Sequence, residues 1–372
     1  MQRKKNIMRS GALDICKGIA IILMVIGHTE YPGLLNFVYE FHMPIFFIAA
    51  GYCFSLSALN NEATFVKKRL KGLYWPFLKW SVIFLCLHNL MFEVGILNEQ
   101  FGNAAGGVTH PYSWHQFQQR IWSCVFNMSG YDEFLTGAFW FFRALLLASI
   151  AYLVLFKLLL HVKPLHQRTL PIAWTIAAIA LLMALWQTGE GLVMTGVVQG
   201  GYRDLMGLFF FAIGFIFQQN KKWMQMPWWG ALLCLSFVIA ASIWFPSCLT
   251  YKSTLIKCVK IILPAIAGFA MTYWLSSKIE KWNNPVQRFL LFCGRNTLSV
   301  YVFHIICFKI VSALKISYYG LDWGHIGDHM IVHHNKTDLF WILYTIAGVG
   351  IPLLCTWGWR KFKETRVSKD RL

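Results

Sequence analysis

The chain has 372 residues, of which 57% are hydrophobic and 13% charged. Soluble domains average about 25% charged residues, so this composition excludes a water-soluble globular protein, a disordered chain and a collagen-like or disulfide-rich scaffold. The net charge of +18 does not indicate nucleic acid binding, because Lys and Arg concentrate in the cytoplasmic loops of membrane proteins. The composition predicts an all-α, polytopic integral membrane protein.

Ten nearly uncharged segments along the chain are interpreted as membrane-spanning helices. They fall within residues 12–29, 41–61, 72–97, 134–157, 169–189, 205–220, 223–251, 261–277, 289–314 and 339–359. An even number places both termini on the same side. Most of the 34 Lys and Arg residues then share that side, so the positive-inside rule predicts cytoplasmic termini. Because no internal repeat is visible, residues 1–372 are expected to form a single domain.

The first span, DICKGIAIILMVIGH at 14–28, contains ionisable residues, which are costly in a membrane and therefore candidates for function. Lys17 and His28 are eleven residues apart, so at about 100° per residue they share one helix face, about 16 Å apart. Asp14 is placed to pair with Lys17. His28 is suited to proton transfer near neutral pH, and Glu30 would orient it if the chain folds back there. The alternative is a packed, purely structural histidine.

Several segments resemble, in chain order, the acyltransferase 3 family of integral membrane acyltransferases. The spacing of Lys17 and His28 is similar to the family's R/K-x10-H motif, and FHMPIFFIAAGY at 41–52 resembles its F-x-M-P-x-F-F-x-x-x-G block. Further similar segments are KKRLKGLYWPF at 67–77, FWFF at 139–142, FFFAIGF at 209–215 and GRNTLSVYVFH at 294–304. The sequence departs from the family pattern in having Lys17 where arginine is commoner, and Ala50 and Thr297 where serine is commoner. Lysine lacks the bidentate fork of arginine.

The resemblance implies transfer of an acyl group, usually acetyl from acetyl-CoA, to a carbohydrate hydroxyl. The phosphates of CoA would meet the cationic cytoplasmic ends of three spans, where the helix dipoles also favour anions. The predicted donor-binding residues are Lys17 with its neighbour Asp14, Lys68 and Arg69 in a basic cluster, and Arg295 at an expected helix start. For Lys68 and Arg295 the alternative is plain topological anchoring.

With the phosphates held at that end, the long pantetheine arm of the donor would bring the thioester to His28. His28 is then predicted to be either the general base or a nucleophile that carries the acetyl group. His304, deep in the ninth span, is predicted either to donate to the oxyanion or the acceptor, or to be a packed structural residue.

Three residues are candidates for substrate contact. Arg143, inside a span, is expected either to pair with Glu133 or Glu40 or to bind substrate. Trp140 is predicted either to be a lipid-facing or core aromatic residue or to line a slot for the pantetheine arm. Trp114, in an outer loop rich in aromatic residues, is expected either to contact a sugar ring or to belong to an interfacial aromatic belt.

The sequence therefore predicts a multi-pass O-acetyltransferase of a bacterial inner membrane, with acetyl-CoA, a polysaccharide or lipid-linked sugar, and the bilayer as its partners. No nucleic-acid partner and no metal cofactor are expected, although His325, His329 and His333 have helical spacing. Two alternative functions are a transporter or flippase for glycan precursors, for which inverted repeats with broken helices would be expected, and a non-catalytic membrane partner of a glycan-assembly complex.

Overall fold

The computed structural model describes residues 10–104, 109–194, 201–249 and 253–369. The protein is 79% helical and those residues form no β-strand, which confirms the predicted all-α class. The α-helices are α1 (Gly11–His28), α2 (Pro32–Tyr39), α3 (His42–Tyr52), α4 (Glu62–Arg69), α5 (Trp75–Glu93), α6 (Glu99–Ala104), α7 (Trp114–Asn127), α8 (Glu133–Thr136), α9 (Trp140–Leu159), α10 (Thr169–Gly189), α11 (Tyr202–Gln219), α12 (Trp228–Trp244), α13 (Leu255–Lys260), α14 (Ile262–Ile279), α15 (Pro285–Arg295), α16 (Thr297–Tyr319) and α17 (Phe340–Lys369).

Within the described ranges, eight helical segments are long and apolar enough to cross a membrane. They are Gly11–His28, Pro32–Tyr52, Glu62–Glu93, Trp140–Leu159, Thr169–Gly189, Leu255–Ile279, Thr297–Tyr319 and Phe340–Arg366. Two other predicted spans, 205–220 and 223–251, correspond to α11 and to the 17-residue apolar helix α12. The chain is a polytopic membrane protein, whereas the number of ten spans and the cytoplasmic location of both termini stay predictions.

Helix α1 lies at the centre of the packing and contacts α2, α3, α14, α15, α16 and α17. Two glycines bring α1 and α15 together. A Cβ atom on Gly18 would lie 2.3 Å from the carbonyl oxygen of Leu290, and one on Gly294 would lie 1.7 Å from the carbonyl oxygen of Asp14. Because membrane helices associate through close packing at small residues, these glycines hold the Lys17 end of α1 against the end of α15.

Helix α3 is held against α11 in the same way. A Cβ atom on Gly51 would lie 1.8 Å from the carbonyl oxygen of Phe211, and one on Gly214 would lie 2.0 Å from that of Ile48. Beside this crossing, aromatic rings pack around Phe54 at edge-to-face or tilted angles; they belong to Phe65, Tyr152, Phe156, Phe211 and Phe215. The aromatic cluster fixes α3 relative to α9 and α11, and so positions the side chains that α3 presents to the centre of the bundle.

The segments that connect the helices at the His28 end of α1 pack on one another. We call residues 98–104, 109–139 and 320–339 the outer cap. Asn98 Nδ2 donates a hydrogen bond to the carbonyl oxygen of Gly324 over 2.6 Å, and the rings of Phe101 and His325 are 4.0 Å apart. The buried Lys309 Nζ on α16 donates to two carbonyl oxygens of the cap over 2.7 Å each. The outer cap is therefore tied both to itself and to α16.

Candidate active site

In the part of the chain that the structure describes, a cavity opens toward each end of α1. We call the cavity lined by Lys17 the inner cavity and the one lined by His28 the outer cavity, after the orientation that the charge distribution predicts. Their volumes are about 310 Å³ and about 510 Å³. Met43 of α3 lines both cavities, so the two spaces lie back to back. Helix α1, which reaches both cavities, is continuous from Gly11 to His28.

His28 is the last residue of α1, is buried, and has a histidine as its partner. Its Nδ1 atom lies 2.8 Å from Nε2 of His304 on α16, and the two ring centroids are 4.9 Å apart. His304 is itself fully buried. The structure therefore brings together two histidines that are 276 residues apart in the chain.

The hydrogen bonds of His304 determine which nitrogens carry protons. His304 Nδ1 lies 3.1 Å from the carbonyl oxygen of Val300 and 3.0 Å from that of Tyr301. Since a carbonyl oxygen only accepts, Nδ1 of His304 carries the proton, and in the neutral ring Nε2 is an acceptor. His28 Nδ1 then donates to His304, which leaves the lone pair of His28 Nε2 as the unprotonated position. His304 keeps no N–H for a substrate oxyanion in this arrangement.

The outer cavity is polar on several sides. It is lined by His28, Tyr39, His42, Met43, Glu133, Gly137, Ala138, Trp140, Arg203, Leu249, His329 and Met330. The guanidinium carbon of Arg203 lies 4.1 Å from the ring centroid of Trp140, a cation–π contact. Burial lowers the pKa of His329 in the outer cap below its ordinary value of 6.5, against the opposing effect of a contact with the backbone of Glu133. This shift favours the neutral form of the His329 ring.

The inner cavity has cations at one end and apolar walls. Lys17, Arg69 and the first turn of α16 (Thr297 and Leu298) line it, together with Ile21, Met24, Met43, Phe46, Ala49, Ala50, Cys53, Gly72, Leu73, Phe141, Phe142, Leu145 and Tyr301. The backbone beside Arg69 forms a π-helical turn, Leu70–Tyr74, between α4 and α5. Such turns widen a helix locally and are frequent at functional sites. The arrangement offers positive charge at an entrance and an apolar path beyond it.

The structure brings some of the predicted donor-binding residues to the inner cavity and leaves others outside it. Lys17 Nζ pairs with Asp14 Oδ1 over 2.8 Å, and Arg295 Nε lies 3.4 Å from Asp14 Oδ2. Asp14 is buried and fixes both cations. Lys68 is exposed on α4 and is not part of the inner-cavity lining, whereas the adjacent Arg69 is.

The expected helix start at Arg295 is wrong. Arg295 is the last residue of the amphipathic helix α15, and α16 begins after Asn296, at Thr297. The predicted span at 289–314 therefore combines the end of one helix with most of the next. Gly294 faces the carbonyl oxygen of Asp14, so its backbone serves helix packing, and it is the first turn of α16 that lines the inner cavity.

Glu30 is not brought to His28, contrary to the expectation that it orients the ring. Glu30 has a left-handed backbone (φ 53°), and its carboxylate lies 2.6 Å from Lys336 Nζ and 3.4 Å from His333 Nδ1 in the outer cap. Burial opposes ionisation of Glu30, but hydrogen bonds from His333 and Lys336 outweigh it and lower the pKa to about 2. The carboxylate is an anchor for the cap, and the partner of His28 is His304.

The predicted substrate contacts also have different outcomes. Arg143 is buried and pairs with Asp204 of α11, not with Glu133 or Glu40. Trp140 lines the outer cavity. The sequence predicts a lipid-facing or core position, or a slot for the donor arm. Trp114 is 70% exposed, stacks on Phe117 with ring centroids 5.6 Å apart, and does not line the outer cavity.

His42 and Arg203 are among the outer-cavity residues that sequence reasoning missed. His42 is an ionisable residue in an apolar span, so the rule that selected His28 also applied to it. Arg203 is the middle residue of the Tyr-Arg-Asp segment at the start of α11, just before the predicted span at 205–220. Across the described ranges no group of three His, Cys, Asp or Glu side chains is arranged to hold a metal ion, and this includes the run from His325 to His334.

Comparison with known proteins agrees with this architecture. A family model described as an acyltransferase domain, that of the acyltransferase 3 family, matches residues 10–357, so it extends beyond the motifs noted at 12–304. Neither the curated proteins nor the solved structures contain a match to the chain. The chain belongs to the acyltransferase 3 family and is a multi-pass membrane acyltransferase.

Proposed function

We propose that the protein is a single-domain O-acetyltransferase of a bacterial inner membrane. It transfers the acetyl group of acetyl-CoA, bound from the cytoplasm, to a hydroxyl of a cell-surface polysaccharide or lipid-linked sugar. The observation that carries this proposal is the position of His28, at the end of a helix whose other end presents Lys17 to a separate cavity. A cationic entrance and a basic imidazole are thus held on one rigid element.

The inner cavity is suited to an anionic donor with a long neutral arm. Lys17 and Arg69 supply the charge for the phosphates of CoA, and the dipole of α16 adds partial positive charge at Thr297. Asp14 holds Lys17 and Arg295 close together. We infer that Lys68, which is exposed, contributes less than Arg69. The apolar remainder of the cavity matches the pantetheine arm.

His28 Nε2 is the general base in this mechanism. It removes the proton as the acceptor oxygen attacks the thioester carbonyl carbon, and it returns the proton to sulfur as the C–S bond breaks, releasing CoA. His304 is a positioning residue: it accepts from His28 Nδ1 and so keeps the lone pair on Nε2. An acetyl-His28 intermediate is the alternative route, and acid-quenched protein carrying the radiolabel would reveal it.

The acetyl group has to pass Met43, which lines both cavities. Methionine is unbranched and has three rotatable bonds, so it adapts to irregular or changing spaces. We infer that rotation of the Met43 side chain joins the two cavities when the donor binds. The acceptor then occupies the outer cavity, where Trp140 offers an aromatic face and Glu133 and Arg203 offer polar groups for a sugar.

The test is acetyl transfer by the purified full-length protein in lipid nanodiscs. [¹⁴C]Acetyl-CoA is the donor, and a lipid and polysaccharide extract of bacterial membranes is the acceptor. His28→Asn is the sharpest variant, because the amide nitrogen of Asn can still donate to His304 while the base is removed. We expect transfer to fall about a thousandfold in this variant, and to be unchanged in the control His161→Gln, whose side chain is exposed. Full transfer by His28→Asn would contradict the proposal, and a protein that moves the glycan without acetylating it would be the transporter of the alternative.

A further inference from the structure

His42 is a second buried histidine at the outer cavity. It is the first residue of α3, its side chain is only 2% exposed, and it lines the same cavity as His28. His42 Nδ1 lies 2.8 Å from the carbonyl oxygen of Val38. Since that oxygen only accepts, Nδ1 carries the proton and donates a hydrogen bond to the carbonyl oxygen of Val38, and Nε2 of the neutral ring is a hydrogen-bond acceptor.

Among the described residues, the side-chain hydrogen bond of His42 is made by Nδ1, which leaves Nε2 open to the cavity that His42 lines. The same holds for Nε2 of His28, since its Nδ1 is the nitrogen that faces His304. Two imidazole acceptors therefore face one cavity of about 510 Å³. A ligand that fills this cavity excludes water from both acceptors, and an acceptor left without a hydrogen bond costs free energy, so the ligand is expected to bring two donors. The His28 acceptor receives the reacting hydroxyl.

We infer that His42 Nε2 accepts a hydrogen bond from a second hydroxyl of the acceptor, adjacent to the one that is acetylated. This inference rests on the proposed function and narrows its acceptor to a vicinal diol. An acceptor with an ether or a hydrogen at the second position would leave His42 buried and unpaired, and sites of this kind reject such analogues strongly. A neutral His42 has no N–H toward the cavity, so its part is specificity and not stabilisation of the oxyanion.

Two substitutions separate this role from a structural one. His42→Asn retains a donor to the carbonyl of Val38, because the Asn amide nitrogen takes the place of Nδ1, but it removes the acceptor in the cavity. His42→Gln does the opposite: its amide reaches the position of Nε2 and the bond to Val38 is lost. A purely structural His42 would thus be better replaced by Asn, and an acceptor-binding His42 by Gln.

The experiment uses the full-length protein in nanodiscs with [¹⁴C]acetyl-CoA and a panel of methyl hexopyranosides, each paired with its monodeoxy counterpart. In the wild type we expect a KM about tenfold lower for the vicinal diol than for the deoxy analogue, the effect of one lost hydrogen bond in a buried site. The ratio should approach one in His42→Asn and remain above about threefold in His42→Gln.

The outcomes are distinguishable. If the wild type acetylates the panel without preferring vicinal diols, or if His42→Asn keeps the wild-type preference, the inference about His42 is wrong while the proposed function stands. If the wild type transfers acetyl to no member of the panel and to no component of the membrane extract, the proposed function fails and the inference falls with it.

Discussion

The two ends of α1 are built differently. At the outer end the contacts of the histidine pair are directional: His28 is buried, it faces His304, and the carbonyls of Val300 and Tyr301 determine the tautomer. At the inner end the Lys17 side chain is 27% exposed and held through a buried carboxylate. The difference indicates that the side chains beside the reacting bond are held rigidly. The charged side chain that would meet the donor phosphates can adjust its position.

Closing the space between the two ends of α1 should have the largest effect on the rate of acetyl transfer. Met43→Trp enlarges the side chain that separates the two cavities, so we expect acetyl transfer to fall at least about a hundredfold. Acetyl-CoA binding, measured by isothermal titration calorimetry, should change less than about threefold. Met43→Leu, of similar volume and still flexible, is the control and should retain most activity. Normal turnover in Met43→Trp would show that the acetyl group takes another route.

The directional contacts of the outer end are tested at His304. His304→Phe removes the acceptor for His28 Nδ1, and we expect kcat to fall about thirtyfold because the wrong tautomer is then populated. His304→Gln offers an amide oxygen at the position of Nε2 and should recover most of that loss. The pH profile of kcat is the decisive readout, since a tautomer defect alters the apparent pKa of the profile. Equal defects in the Phe and Gln variants, with unaltered pH profiles, would assign His304 to packing alone.

Two adjacent cations test which side chains at the inner end bind the donor phosphates. Arg69 lines the inner cavity and Lys68 does not, so Arg69→Met should raise the KM for acetyl-CoA about fivefold. Lys68→Met, the matched control, should raise it less than about twofold. Steady-state kinetics at several salt concentrations measure both. A larger effect of Lys68 would place the phosphates outside the cavity.

The smallest effect concerns the anchor of the outer cap. The pKa of Glu30 is lowered to about 2 from an ordinary value of 4.5, so its pairing with Lys336 and His333 stabilises the fold fully above pH 4.5 and is lost as the pH falls toward 2. Glu30→Gln should lower Tm by about 1–2 °C at pH 7, with the difference vanishing in acid.

Differential scanning fluorimetry in nanodiscs between pH 3 and 8 measures this difference. Glu62→Gln, which breaks the solvent-exposed pair with Lys157, is the control and should leave Tm unchanged. A difference between Glu30→Gln and the wild type that persists unchanged at pH 3 would contradict the assignment of Glu30 as an ionised anchor.

Much of the fold could be predicted because hydropathy and helical periodicity are local properties of the chain. The spacing of Lys17 and His28 follows from about 100° per residue, and the structure places them on one continuous helix. The predicted span boundaries were less accurate where two helices meet. Asn296 separates α15 from α16, and no local feature of the sequence distinguished that break from a continuous helix.

Partner choice could not be predicted, because it depends on packing between distant segments. Glu30 lies two residues from His28, yet its left-handed backbone turns it to Lys336, which is 306 residues away. Arg143 pairs with Asp204 because α9 packs against α11. The contact between His28 and His304 depends on how deeply α1 and α16 each lie in the bundle. Composition does not give this position.

If the two ends of α1 have separate tasks, donor binding and acetyl transfer should be lost independently of each other. Acetyl-CoA binding by calorimetry and acetyl transfer at saturating donor are measured on His28→Asn, Lys17→Met and Lys17→Arg in nanodiscs. We expect His28→Asn to bind acetyl-CoA with the Kd of the wild type and to transfer almost nothing. Lys17→Met should bind about tenfold more weakly but transfer at a rate within about twofold of the wild type, and Lys17→Arg should restore binding. Loss of binding in His28→Asn, or loss of transfer at saturation in Lys17→Met, would contradict this division.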